Sequence, residues 1–509
     1  METIYAKEAM LSKLKNEFAT ILAYVENAVG HEQIADVEKQ VFRQLQHLGL
    51  HLVDAFVKQS GTGYQANNPP CSTDGRALEF KGYIESPYFS IFGELEIKRA
   101  AYASAANEYF YPLDAQLNLP AQKYSYLLDK WILARAAETD YRDAVHLLNE
   151  VFDFSFFASM PQRLGAKVAK AVDTFCEQSP APSAESEGSH LAISADGKGV
   201  PLRKCERPQP ATTTATAKAR RAKGEKPGIK KQAVVTVDFS FTPGRRTPED
   251  IVKALFKEYA PAERQQAKIE AQKRRDEKIP EPRVAMNKHA RATLQGKDKA
   301  MNYLMERLRK RDPAGEKPVV ALIDGDLSLE DALERALKTY QVDKRVDAII
   351  VDIIHVSEYI WDVGTALYGE KSDQRVAWVR EKLLAILNSE VGRVIGGLKQ
   401  IITKTELRPA QKQALEKAIS YFENHRHMMD YASYLAKGYP IATGLVEGTC
   451  GSLVKDRLEQ SGMLWSLRGA QSVLDLRAVK KNNDWEAFWQ FYIASEKNRL
   501  YADSYRMAA

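Results

Sequence analysis

The sequence predicts a multidomain α/β protein whose first third is mainly helical, and three observations predict it. The 509 residues suffice for about three domains at ~150 residues each. Over residues 1–60 apolar residues recur at spacings of 3 and 4, and the helix reaching Phe175 again shows one apolar face. Beyond residue 190, short apolar runs alternate with helical stretches, the pattern of a sheet with crossover helices. An apolar share of 44% with 28% charged residues excludes general disorder and fibrous architecture. The longest apolar run, Val346–Val356, is too short and too interrupted by Asp to span a bilayer. Residues 1–22 lack the unbroken apolar core of a signal peptide, so no membrane association and a cytoplasmic location are expected.

Residues 1–60 read as a helical hairpin. Leu11, Leu14, Phe18, Ile21 and Val25 mark one stripe, and Ile34, Val37, Val41, Leu45, Leu48 and Leu52 mark another. Either stripe could pack internally or against a second subunit. Residues 61–120 hold a Gly/Pro/Asn loop, a β-ribbon over Leu78–Ile84, Tyr88–Phe92 and Glu94–Ala103, and a connector at Pro112–Pro120. In 121–178 three helices are expected: Tyr124–Glu138, one capped by Thr139 or Asp140, and one from Pro161 to Phe175. On the last, Arg163, Lys167 and Lys170 form a basic stripe opposite Leu164, Val168 and Val172. That resembles a DNA-binding helix-turn-helix, although an ordinary bundle with a wetted basic face reads the same way.

Residues 179–189 form a low-complexity linker. Strands follow at His190–Ala195 and Gln232–Thr242, then a helix at Pro248–Tyr259 and a long polar helical stretch over Ala260–Arg311. Another strand is expected at Lys317–Ile323, a helix at Leu327–Tyr340 and a strand at Val346–Ile354 ending near Asp352 and His355. Residues 356–438 are helical throughout, 439–480 return to the core with a helix over Val446–Ser461, and 481–509 form a helical tail rich in aromatics.

The net charge of +6 is concentrated. Between Arg203 and Lys231 ten basic residues, Arg220, Arg221 and Lys223 among them, face Glu206 and Glu225. This local excess of +8 leaves −2 for the rest of the chain, the footprint of a polyanion-binding segment or of a solvated loop. The four cysteines, Cys71, Cys176, Cys205 and Cys450, form no C-x-x-C pair, which argues for reduced thiols and against a closed zinc site.

Three acids stand out. Asp196 and Asp324 lie at strand ends, and Glu447 opens a helix after a Pro/Gly loop. Acids from parallel strand ends and a nearby helix can meet at the carboxyl edge of a sheet, making an oxygen-rich site suited to Mg²⁺ or Mn²⁺ and to phosphoryl transfer. Asp-Gly at 196–197 and 324–325 also reads as a plain turn, and Glu447 as a solvated carboxylate at a helix start. Lys455 and Arg457, just after Glu447, could hold a DNA phosphate. His355 could touch metal, substrate or structure. The chain has no phosphate-binding G-x-x-x-x-G-K-[ST], no G-x-G-x-x-G after a strand, no H-E-x-x-H and no G-x-S-x-G.

A run of segments resembles bacterial insertion-sequence transposases: Ser194-Ala-Asp-Gly-Lys-Gly-Val200, Ala321-Leu-Ile-Asp-Gly-Asp326 and Ile350-Val-Asp-Ile-Ile-His-Val-Ser-Glu-Tyr-Ile-Trp361. The longest is Gly438-Tyr-Pro-Ile-Ala-Thr-Gly-Leu-Val-Glu-Gly-Thr-Cys450, continuing through Leu453-Val-Lys-Asp-Arg457 to Asp484-Trp-Glu-Ala-Phe-Trp489. Across roughly residues 70–495 the chain is similar to the Kra-four group of DDE transposases, distantly Mutator-like. The resemblance implies an RNase H-like catalytic core over 190–355 and 439–480, with 356–438 as an all-α insertion. It implies a catalytic and metal-binding triad of Asp196, Asp324 and Glu447 with two Mg²⁺ (or Mn²⁺) ions, and Asp352 and His355 as an accessory pair. It further implies element ends and target DNA as partners, a homo-oligomer, and a nucleoid-associated bacterial location. The family's two C-x-x-C pairs read here Cys71-Ser-Thr-Asp74 and Ala103-Ser-Ala-Ala106. No zinc is therefore expected in the ribbon. A decayed or domesticated DNA-binding copy, and an RNase H-like nuclease without strand transfer, remain the alternatives.

Overall fold

The computed structural model describes residues 2–509 except 67–68, 73–75, 106–107, 207–229, 258–268, 270–271, 274–284, 461, 503–504 and 507–509. The chain is mixed α/β and divides into two units, residues 1–177 with 483–509, and residues 178–482. The C-terminal segment, read from sequence as a separate tail, thus belongs to the first unit. No helix among the described residues is long and apolar enough to cross a membrane.

The first unit opens with the expected hairpin, α1 (Glu2–Ala28) and α2 (Ile34–Gln59). The ribbon is a three-stranded antiparallel sheet of β2 (Glu79–Ser90), β3 (Gly93–Ala103) and β4 (Tyr109–Phe110), while β1 (Cys71–Ser72) pairs elsewhere, with the chain's last strand. Where a connector was expected, Pro112 starts a short helix, α3 (Pro112–Leu117), because its fixed φ and missing N–H suit a first turn. Helices α4 (Tyr126–Ala136) and α5 (Tyr141–Phe152) follow. Asp140 caps α5 by accepting from the backbone N–H groups of Arg142 and Asp143. The third expected helix is broken by a 3₁₀ turn into α6 (Ser159–Val168) and α7 (Val172–Gln178).

The second unit is built on a five-stranded mixed sheet: β5 (His190–Pro201), β6 (Lys230–Phe241), β7 (Met286–Thr293), β8 (Val319–Ile323) and β9 (Val346–Val351). In space the order is β7-β6-β5-β8-β9. β6 runs antiparallel to β5 and to β7, whereas β8 lies parallel to both β5 and β9. The parallel part is a nearly unbroken apolar run, buried on both faces, as covered parallel strands require. Helices α8 (Pro248–Phe256), α9 (Lys297–Arg311) and α10 (Leu327–Thr339) connect the strands.

Strand β7 corrects the sequence reading, which ran a helix through it. Met286–Thr293 has few apolar residues, so no strand signal showed, yet His289, Arg291 and Thr293 are buried with partners. His289 meets Asp238 at 3.4 Å, and Arg291 stacks on Tyr303 at 3.7 Å and reaches Asp475 at 3.8 Å. The 356–438 region is helical as expected: α11 (Ile353–Tyr368), α12 (Asp373–Leu387), α13 (Val391–Lys404), α14 (Pro409–His425) and α15 (Tyr431–Lys437). Next come α16 (Gly444–Thr449), a π-helical turn at Cys450–Lys455 and α17 (Asp456–Leu458). Helices α18 (Leu467–Lys481) and α19 (Trp485–Lys497) complete the chain, apart from β10 (Tyr505–Arg506), the partner of β1.

Candidate active site

Three aspartates form a row across the sheet. Ala195 on β5 pairs with Ile323 on β8, and Ile323 pairs with Val351 on β9. The residue after each of these is an acid: Asp196, Asp324 and Asp352. Parallel strands in register therefore deliver three carboxylates to one carboxyl edge. The backbone N–H of Asp352 donates to the Ile323 carbonyl at 2.9 Å and fixes the row.

The three continue differently. Asp196 does not end its strand, as the sequence suggested, because β5 runs on to Pro201 against β6 after β8 has stopped. It sits where one neighbour falls away. A Cβ at Gly197, the next residue, would lie 1.8 Å from the end of the Gln232 side chain, so a larger residue there would have to displace that side chain. Asp324-Gly325 is a true turn, with Gly325 at φ +90°. The Asp324 carboxylate accepts from the backbone N–H of Asp326 at 2.9 Å, and Tyr421 from α14 donates to its carbonyl at 2.9 Å. Asp352 is fully buried and caps α11, accepting from the Ile354 N–H at 2.8 Å and from the Thr443 hydroxyl. His355, expected at a strand end, is instead in the first turn of α11.

Glu447 comes from α16. Ile353 N–H donates to the Ile441 carbonyl at 3.0 Å, tying the loop before α16 to the start of α11. This brings Glu447 Oε1 to 3.6 Å from His355 Nδ1, which is 3.2 Å from Asp352 Oδ2. Donor atoms of Asp352, His355 and Glu447 all lie within 4.8 Å of one another. Asp196, Asp324 and Glu447 are each part-exposed at this edge.

The electrostatics follow from crowding. Burial pushes the Asp324 carboxyl above the usual range, and the nearby Asp196 charge adds to it against the Asp326 N–H and His355. Glu447 is pushed up by burial and then by the Asp352 and Asp196 charges, with His355 opposing. His355 is pushed up to about 9 by its hydrogen bond to Asp352, against burial and with help from the Asp352 and Asp324 charges. At neutral pH it is an imidazolium partly neutralising the cluster. The Cys450 thiol is pushed far up by burial and by the Asp196 carboxylate, to which it is hydrogen-bonded, so it is an inert neighbour rather than a nucleophile. Thr443, Tyr421 and Cys450 were not singled out from sequence. Thr443, just before a helix, carried a capping signal, whereas nothing marked the other two.

The basic residues fare unevenly. Lys455 is exposed. Arg457 is corrected: it is 1% exposed, its guanidinium stacks on Trp465 at 4.9 Å and reaches the Met463 sulfur at 3.3 Å, so it holds the fold rather than a phosphate. An unbroken α-helix would set Gly451 and Lys455 on the face of Glu447, and the π turn breaks that spacing. In the first unit Arg163 and Lys170 are exposed, while Lys167 pairs with Glu496 at 3.3 Å. Arg220, Arg221 and Lys223 lie outside the described residues. No protein-family model matches the chain, and no curated protein matches it.

Proposed function

We propose that the chain is a DNA transposase of an insertion sequence, with the five-stranded sheet as an RNase H-like core, the α11–α15 helices as its insertion, and Asp196, Asp324 and Glu447 as a DDE triad. The observation that carries this reading is the row of acids: residues far apart in sequence converge at one wet sheet edge with more carboxylate than cationic charge. The donor set fits Mg²⁺ or Mn²⁺, since it is carboxylate oxygen, part-exposed, and short of counter-charge. Asp196, Asp324 and Glu447 would hold two such ions, which, when bound, supply an activated oxygen nucleophile and stabilise the leaving oxygen. The rest falls to the protein. Asp352 orients His355 through Nδ1, and His355 holds Glu447 toward the row. Thr443 and the Ile354 N–H hold Asp352 in place. Exposed Arg163, Lys170 and Lys455 suit phosphate contacts, which makes binding salt-sensitive.

The test is a plasmid carrying the native coding region with its genomic flanks, incubated with purified protein and Mg²⁺ or Mn²⁺. Cleavage at the flanks with joining of the freed ends to target DNA is expected. Cutting without joined product would replace transposition by a nuclease activity. DNA binding with no cleavage under either metal would overturn the enzymatic reading.

A further inference from the structure

The hairpin of α1 and α2 carries two apolar seams, of which the fold uses one. The inner seam of α1 is Leu14, Glu17, Ile21, Tyr24 and Ala28, each buried or half-buried. It packs on α2, with His51 Nδ1 2.8 Å from Glu17 Oε2. About 90° further round α1, at ~100° per residue, lie Leu11, Phe18, Leu22 and Val25, with Val29 in the turn just past its end. On α2 the corresponding outer residues are Ile34, Leu45, Leu52 and Phe56. The inner side of α2 is the half-buried or buried run Val37, Val41, Leu48, His51 and Ala55. Each outer set is displaced in the same rotational sense from its inner seam, and the helices are antiparallel, so both sets lie on one face of the hairpin. These nine side chains are 40–81% exposed. At on the order of 100 Å² apiece they offer about 900 Å², against ~800 Å² per partner in a standard protein interface.

We propose that this face is the contact for a second copy of this chain, the two hairpins forming a four-helix bundle with α1 antiparallel to α1 across a two-fold axis. The α1 stripe is a heptad seam, with Lys15 and Leu22 at a and Leu11, Phe18 and Val25 at d, and Val29 extends it by one a-type position in the turn that follows. In the antiparallel register each a residue meets a d residue: Leu11 with Val29 of the partner subunit, Lys15 with Val25 of the partner subunit, Phe18 with Leu22 of the partner subunit. The seam is thus complementary to itself, as an isologous interface requires. Lys15 decides the direction. In a parallel pair it would face Lys15 of the partner subunit, whereas in the antiparallel pair its stem crosses Val25 and its ammonium reaches Glu26 of the partner subunit. The two-fold makes that ion pair twice. The proposal does not depend on the activity proposed above.

Sedimentation velocity of the full chain across micromolar concentrations tests it. A species of twice the chain mass is expected, and a monomer throughout would overturn the proposal. Phe18→Glu with Leu22→Glu should weaken self-association by at least ~100-fold while circular dichroism keeps the parent's helicity; an undiminished dimer would place the interface elsewhere and overturn it. Lys15→Glu and Glu26→Lys should each weaken the dimer, and the two together should restore it. A double swap no better than the single ones would overturn the antiparallel register.

Discussion

The second unit holds two clusters of buried or half-buried acids, and they are built in opposite ways. In one, Glu187 and Asp238 lie under Arg311, whose guanidinium is fully buried and meets both, at 2.7 Å for Glu187 Oε2 and 2.7 Å for Asp238 Oδ2. Arg307 and His289 add to it at 3.5 Å and 3.4 Å. Burial alone would push the Asp238 carboxyl up, but Arg307, His289 and Arg311 overrule it and hold it far below the usual range. In the other, Asp352 and Glu447 meet His355 at 3.2 Å and 3.6 Å beside Asp196 and Asp324, and both Asp324 and Glu447 sit above their usual range. Among the described residues, guanidinium groups pair with the first cluster and none pairs with the acids at the sheet edge. Part-exposed carboxylates at Asp196, Asp324 and Glu447, with His355 as the ion-pair partner, thus set the second cluster apart from the first.

That contrast can be broken in four ways. The largest effect is on chemistry: Asp196→Asn, Asp324→Asn or Glu447→Gln should each lower DNA cleavage by at least about 10³-fold, about 4 kcal/mol of barrier. The thermal midpoint should hold or rise, because a repelling charge is removed. A variant that cleaves normally would detach that acid from the triad. Next, Arg311→Met strands two buried carboxylates and should cost about 3–5 kcal/mol in urea unfolding; a loss under about 1 kcal/mol would show the two clusters to be equivalent. Third, Mn²⁺ at ten times its Kd should stabilise the parent by about 1.4 kcal/mol and the three site variants less, read by calorimetry with and without EDTA. Equal shifts would mean that the ion binds elsewhere.

The smallest effect is in pH. His355 holds its proton more tightly in the fold, near 9 against 6.5 ordinarily. Its stabilisation is therefore complete below pH 6.5 and is lost as pH climbs through 9. The thermal midpoint of the parent should fall over that window, and His355→Gln should flatten the fall. An equally steep decline in the variant would assign it to other groups.

What the sequence showed depended on whether the signal was apolar. Helices over 1–60 and 356–438 and the strands at Val319–Ile323 and Val346–Val351 were legible because their buried faces are hydrophobic. Met286–Thr293 was hidden because its burial is purchased with ion pairs from Asp238 and Asp475, residues that no local pattern connects to it. Asp196 and Asp324 were legible as acids at strand ends, but the in-register row of three was not, since register is a property of pairing. Asp352 was taken with His355 as a strand-end pair, and the capping of α11 that it performs became visible only with Thr443 beside it. Arg457 was misread because a charged residue after an acidic helix start reads as surface, while Trp465 eight residues on is what buries it.

The π-helical turn at Cys450–Lys455 has a further consequence, one of phase. An extra residue in a helical turn shifts everything beyond it by about 100° relative to what precedes it. Upstream the segment aims Glu447 at His355, and downstream it aims Arg457 at Trp465, so the two orientations agree only for one residue count between them. Deleting any one residue in that turn would let the backbone close as an ordinary α-helix and put one of the two side chains out of step. In this stretch length constrains the phase more than identity does: replacing exposed Lys455 leaves the phase unchanged, whereas its removal would be felt at the sheet edge.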